Sequence, residues 1–423
     1  MRKALVALSW VAGTILPVGC DHMTDVQPAQ VTLTGPASIA VGGQGQFSVL
    51  VTDQNGEPLR GVSVDWVTDN PAVATVDQNG FVTGEGAGPG TVIATTGEVT
   101  GTASFRVIAP LSFCRDDDQL DAWCRLTDSP TWETFPSVSG NRVVWTDQRA
   151  YGQVIVMLDL STGETTSLTP ENEASVLPTI DGDRVVYARL PLTGPWQLLT
   201  YDLTTGVETL FSTMDRNLGL GRLALSGHRA AWHDKRNNNW DIYIFDFNTN
   251  TETRLTTDPT DQADPAIVGD RVTWVDNRHN GGPETWFDLY TYDFTTGTES
   301  RITEATTLGR AAAVSADRMV WGDIRGGYFA LYEYDFNRPN HERALNTTLL
   351  ENSITLNGSR VAWYDAAGDI HAFDITTGKE VRVTNLGSTQ RIPWISQDYL
   401  VWEDYRNGNG DIYIARLVDV FGS

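Results

Sequence analysis

The sequence predicts an all-β chain: an Ig-like β-sandwich followed by a seven-bladed β-propeller of four-stranded blades. The propeller rests on self-similarity. A unit written most clearly by 223–256, LALSGHRAAWHDKRNNNWDIYIFDFNTNTETRLT, contains four short strand-like runs separated by turn residues. Aligning on Trp232 finds it again at Trp145, Tyr187, Trp274, Trp321, Trp363 and Trp402, at spacings of 42, 45, 42, 47, 42 and 39 residues. A period near 40 residues with four strands in each period is what a propeller blade requires. Burial patterning agrees, because Val143-Val144-Trp145, Val185-Val186-Tyr187 and Leu400-Val401-Trp402 are continuously apolar, as strands covered on both faces must be. Beyond the first twenty residues no long window of helical periodicity occurs, so helix is a minor component.

The chain opens with Arg2 and Lys3, an apolar run from Ala4 to Leu16, and small residues before Cys20. That run is too short to span a bilayer, and residues 1–20 read as a signal peptide. Its end resembles a bacterial lipoprotein signal, with Pro17 where that family usually has Leu. The resemblance implies that Cys20 becomes a lipidated first residue, with plain secretion or an uncleaved anchor as alternatives. Several acyl chains at about 0.8 kcal/mol per buried methylene would hold the protein to a membrane.

After a polar tether, residues 27–110 change character, with Val, Thr, Ala and Gly dominating and turn signals at the spacing of a sandwich. Strands are expected over 46–52, 61–67, 72–76, 91–95 and 103–108. Asn79-Gly80 reads as a two-residue hairpin turn with both dihedrals positive. The stretch VDWVTDNPAVATVDQNGFVTGEGAGPGTVIAT, from Val64 to Thr95, resembles bacterial Ig-like domains of the intimin and invasin type. That implies Trp66 as core tryptophan and a spacer role, with ligand binding as the less common use of such domains.

The joint, 111–135, holds the remaining cysteines, Cys114 and Cys124, around RDDDQLDAW. In an exported chain this pair reads as one disulfide of about 2–3 kcal/mol. Zinc is a poor rival, because two thiols without a nearby His leave its coordination incomplete. Asp116, Asp117, Asp118 and Asp121 are oxygen ligands that could hold Ca²⁺, but the Gly and Glu of a recognised loop are missing. No other metal and no cofactor is expected. Trp123 to Thr127 matches the fourth-strand pattern Thr253 to Thr256, whereas the seventh unit ends without a fourth strand. The propeller, 122–420, is therefore expected to close through its N-terminal fragment, which removes two exposed sheet edges. GDRVTWVDNR and DLYTYDFTTGTESRIT of the fourth unit resemble the propeller repeats of TolB, a periplasmic translocation protein. An Ig-like domain replaces TolB's small α/β domain and seven blades replace six, so a role in that complex does not carry over.

In a four-stranded meander, the turns joining strands one to two and three to four share a face. Here they are short and uniform, as at Ser139-Gly140, Asp181-Gly182 and Val268-Gly269. The loops joining strand two to three vary, from 366–368 up to 277–286, and variable loops on a rigid frame are where recognition lives. They carry a repeated Asp-x-Arg: Asp147 and Arg149, Asp234 and Arg236, Asp276 and Arg278, Asp323 and Arg325, Asp404 and Arg406. A packing role is expected, each Asp accepting turn amides and each Arg forking onto a carboxylate of the adjacent blade. Blade 2, with Arg189 in place of Asp, and blade 6, with Ala367 in place of Arg, break the rule and suggest an asymmetric site. Aromatics interleave with these loops at Tyr151, Trp196, Trp240, Trp286, Tyr328 and Tyr405. Trp240 and Trp286 precede strands and suit packing between blades.

A net charge of −24 repels phosphate backbones, which argues against nucleic-acid binding. HExxH, Gly-x-Ser-x-Gly and P-loop motifs are missing, and His22, His228, His233, His279, His341 and His371 pair locally with no nucleophile. The expected function is a non-catalytic, monomeric envelope or surface lipoprotein whose propeller binds a protein or glycan. Its partner-binding face would use Arg189, Trp196, His279, Trp286, Tyr328 and Tyr405. The alternative is a propeller lyase or hydrolase acting on polysaccharide, which a raised carboxyl pKa beside a deep central pocket would favour.

Overall fold

The computed structural model describes residues 27–108, 123–214, 223–279, 287–303, 310–323, 330–338, 342–345, 352–385, 387 and 389–422. The chain begins with a sandwich in which Ser38–Ala40, Val99–Ile108, Gly88–Thr96 and Asp65–Thr68 form one sheet. Gln44–Gln46, Phe81–Gly84 and Ala74–Val76 form a second, and Gln30–Thr34 pairs with Ser48–Thr52. Alternation drives the packing: Ile39, Phe47, Val82, Val92, Phe105 and Val107 turn inward, with Trp66 partly buried against them. The turn at Asn79-Gly80 differs from the expected one. Only Gly80 has a positive φ, 80°, and its N–H donates to the Asp77 carbonyl at 3.1 Å. Asp77 Oδ1 accepts the amides of Asn79 and Phe81, which holds a longer turn in which Asn79 needs no positive φ.

Seven four-stranded antiparallel units follow, spanning 133–167, 174–214, 224–254, 262–301, 310–344, 352–382, and 390–416 joined by Trp123–Arg125. A single parallel bridge, Gln153↔Ala174, links blades 1 and 2. The closing strand lies antiparallel to Asp411–Arg416 with Trp123 opposite Ala415 and Arg125 opposite Tyr413. Ile412 N–H then donates to Thr127 Oγ1 at 2.9 Å. Among the described residues, each of seven apolar clusters in the propeller draws on two adjacent blades, so no blade has a core of its own. Trp232, Trp274, Trp321, Trp363 and Trp402 are fully buried in these seams.

The sandwich rests on blade 7. Ile108 joins the cluster that contains Tyr399 and Val418, and Arg106 Nε meets Asp398 Oδ2 at 3.0 Å. Asp398 lies in the turn between the first two strands of blade 7, so the docking uses the face of short, uniform turns. A short terminal helix, Leu417–Phe421, buries Leu417, Val418, Val420 and Phe421 beside this contact. Among the described residues no helix is long and apolar enough to cross a membrane.

Candidate binding face at the blade 7 to blade 1 seam

Where it is described, the repeated Asp-x-Arg is tied into its own blade. The Asp ends the second strand, and its Oδ1 accepts the backbone amide two residues on, at 3.0 Å in Asp234, 2.9 Å in Asp276 and 3.0 Å in Asp404. Each Arg turns back onto that same Asp, and Arg236 and Arg278 continue to Glu252 and Glu299, both at 2.7 Å. These glutamates stand on the fourth strand of the same blade, not on the adjacent blade as the sequence suggested. The reason is geometric: the guanidinium lies flat over the tyrosine of the third strand, 4.3 Å from Tyr243, 4.4 Å from Tyr290 and 4.3 Å from Tyr413. That tyrosine stacks in turn on the blade tryptophan, at 5.8 Å and 22° for Trp232 with Tyr243. A Trp–Tyr–Arg stack therefore directs the fork across its own blade. Arg149 pairs with Asp147 and with Glu171, which lies past the fourth strand in the connection to blade 2. Asp323 is buried, while Arg325 lies outside the described residues.

Blades 2 and 6 reach the same fourth-strand carboxylate by other means. In blade 2, Arg189 pairs with Glu208 and Glu173, and the Tyr187 hydroxyl also donates to Glu208. Arg189 is 8% exposed, so it is a packing residue and leaves the partner-binding set. In blade 6, His371 stacks on Trp363 at 5.5 Å and 14° in place of tyrosine. Its ring nitrogens bridge Asp365 at 3.1 Å and Glu380 at 3.2 Å, doing the work of the missing arginine. The two departures are thus compensated within their blades.

The other proposed face residues scatter. Trp196 is half-buried against the blade 2 to blade 3 cluster. His279 is exposed, stacked on Tyr290, with Nδ1 2.7 Å from its hydroxyl. Trp286 and Tyr328 lie outside the described residues, as do Cys20, Cys114 and the Asp116, Asp117, Asp118 and Asp121 group. Trp240 packs edge-on against His233 at 4.7 Å. His233 Nδ1 accepts the Asp264 amide of the next blade at 3.0 Å; burial lowers its pKa, against the pull of Asp264 and Asp234. Among the described residues no group of three or more His, Cys, Asp or Glu is placed to hold a metal.

Tyr405 does belong to a constellation, with residues the sequence did not single out. Its hydroxyl donates to Glu403 Oε2 at 2.7 Å, and Glu403 Oε1 accepts the Phe135 amide of blade 1 at 2.6 Å. Phe135 has φ 55°, in a bulge just before Pro136; Leu177, Asp264 and Ile392 repeat this left-handed residue before proline in blades 2, 4 and 7. The bulge turns the amide of Phe135 toward the neighbouring blade. Trp132, 47% exposed, meets the Tyr405 ring edge to face at 5.6 Å, and the exposed Arg391 places its guanidinium 5.7 Å from the same ring. Burial and Glu403 raise the Tyr405 pKa, so the phenol stays a donor. Directly beneath, Glu133 is buried, and burial, then Asp147 and Asp411, push its carboxyl up to about 8. The available signal for this seam was positional: Trp132 stands where Asp261 and Thr389 precede the first strands of blades 4 and 7.

Residues 25–107 match the bacterial Ig-like domain (group 2) family. The match covers the sandwich alone, and no curated protein matches the chain. The propeller is similar in fold to an oligogalacturonate lyase of Vibrio parahaemolyticus, at TM-score 0.54 and 14% identity over 71% of this chain and 95% of that one. It is also similar to the β-propeller domain of the Trilobed protease of Pyrococcus furiosus, at 0.55 and 12% identity over 69% and 99%. TolB of Acinetobacter baumannii matches at 0.40 and 16% identity, over 73% and 77%. The family match gives the bacterial Ig-like domain, and the structural likenesses give a propeller fold and nothing about activity.

Proposed function

We propose that this is a non-catalytic protein of the bacterial envelope or surface whose propeller binds a partner, protein or glycan, through the face of second-to-third-strand loops. The observation that carries this is the distribution of exposed apolar side chains. Trp132, Tyr151 and Leu192, 47%, 85% and 95% exposed, stand on that face at blades 1 and 2; Val207 and Leu210, 55% and 50% exposed, lie instead along the outer strand of blade 2, and the opposite face carries the Ig-like domain at blade 7. Exposed aromatic and aliphatic groups on polar surroundings are the usual anchors of an interface. The Ig-like domain then acts as the mount that turns this face outward, and its family supports an envelope or extracellular location. Lipidation at Cys20, a Cys114–Cys124 bridge and a monomeric state complete the proposal. Cys20→Ser releasing the protein from membranes, and a linked 114/124 peptide in a non-reduced digest, are the expected results.

The enzymatic alternative has one observation in its favour, the raised carboxyl of Glu133. That group is 2% exposed, and Gln262 and Gln390 occupy its position in blades 4 and 7, so a neutral packing role accounts for it. A cleft of about 320 Å³ lies on the other face, between Arg142, Asp159, Ser161 and Asp183. A glycan array and envelope pull-down identify the partner; alanine at Tyr151, Trp196, His279 or Tyr405 is then compared with Thr162, Thr205 and Thr296. A true anchor should cost about 2 kcal/mol or more. Loss of binding in the threonine set alone would reverse the choice of face.

A further inference from the structure

We infer that the seam of blades 7 and 1 carries a subsite for an acidic pyranose, a hexuronate unit of a polysaccharide, which stacks on Trp132 and places its carboxylate on Arg391. This rests on the proposed binding face and names its ligand chemistry. Three features converge. The first is a fixed aromatic platform: Trp132 is half in solvent, Tyr405 braces it edge to face, and Glu403 anchors the Tyr405 hydroxyl. A sugar ring presents an apolar C–H face that fits such a platform, and a platform that is already ordered loses little entropy on binding.

The second feature is Arg391. Arginines on neighbouring strands are consumed by carboxylates, Arg125 by Asp411, Arg406 by Asp404 and Arg382 by Asp369. Arg391 has no ion-pair partner among the described residues and remains exposed, its guanidinium 5.7 Å from the Tyr405 ring that braces Trp132. A guanidinium fork matches a carboxylate in two parallel hydrogen bonds, and Arg does this better than the point charge of Lys. The third is local charge. Asp404 and Asp411 are ion-paired, burial pushes the Glu133 carboxyl up to about 8, and Glu403 already accepts the Tyr405 hydroxyl and the Phe135 amide, so the carboxylates around the platform are each partnered or held toward the neutral form despite the net charge of −24.

The full-length protein is titrated calorimetrically with alginate oligomers, as a hexuronate probe, and with dextran oligomers, as a neutral one, at low and at high salt. Alginate should bind and dextran should bind at least tenfold more weakly. Trp132→Ala and Arg391→Ala should each weaken alginate binding tenfold or more, with Arg391→Lys intermediate and the melting temperature unchanged. Affinity should fall with salt in the wild type and lose most of that dependence in Arg391→Ala. Equal binding of dextran, or alginate binding indifferent to Arg391, overturns the inference. If no saccharide binds while an identified protein partner still depends on Tyr405 and Tyr151, the subsite is wrong and the binding face stands. If neither does, both fall.

Discussion

Glu133 opens the inner strand of blade 1, where Thr127 Oγ1, itself accepting the Ile412 amide, donates to Glu133 Oε2 at 3.3 Å. The same bond joins Thr384 to Gln390 at 3.1 Å one seam earlier. A neutral side chain therefore suits the position, and a carboxylate there is tolerated by keeping its proton. The folded pKa, about 8, lies above the reference value of 4.5, so the folded state binds the extra proton between those values. Its contribution to stability is complete below pH 4.5 and is lost as pH rises through 8. Glu133→Gln should leave urea unfolding unchanged at pH 4.5 and stabilise the protein by on the order of 3 kcal/mol at pH 9. Equal stability of the two proteins at pH 9 would show that Glu133 ionises freely in the fold.

A blade is a repeated solution to one problem, how to cover a large tryptophan and still satisfy buried carboxylates at the end of two strands. Five blades write Asp-x-Arg, and blade 6 replaces both the tyrosine and the arginine by His371. His371→Ala removes the imidazole that bridges Asp365 and Glu380 and should cost about 2–3 kcal/mol. His371→Tyr with Ala367→Arg rebuilds the stack of blades 3, 4 and 7 and should recover most of that loss, whereas His371→Tyr alone should not. Denaturant midpoints of the four proteins decide it; a single mutant as stable as the pair would dissolve the proposed equivalence.

At the scale of the molecule, the Ig-like domain is seated on the propeller by Ile108 and by the Arg106–Asp398 pair. Asp398 is buried, which raises its pKa against the opposing pull of Arg106 and then Arg360, so its charge depends on these partners. Arg106→Ala should loosen the mount, and small-angle scattering should report a larger radius of gyration with partner affinity within twofold of the wild type. An unchanged radius would assign the seating to Ile108 and the terminal helix alone.

The sequence by itself determined the all-β class, the Ig-like sandwich and the sevenfold repeat, because strand patterning and a tryptophan every 40 or so residues are local signals that each blade restates. The pairing of Trp123–Arg125 with Asp411–Arg416 was legible for the same reason, since the repeat is short of one strand at one end and has a spare at the other. Only the tertiary structure decided which carboxylate each arginine reaches, that Arg189 and His371 are compensations, and that Trp132, Arg391, Glu403 and Tyr405 converge. Glu403 meets the Phe135 amide across 268 positions of chain, through a left-handed bulge residue. Local propensity carries no record of such a contact; it exists because closing the ring brings the last blade against the first.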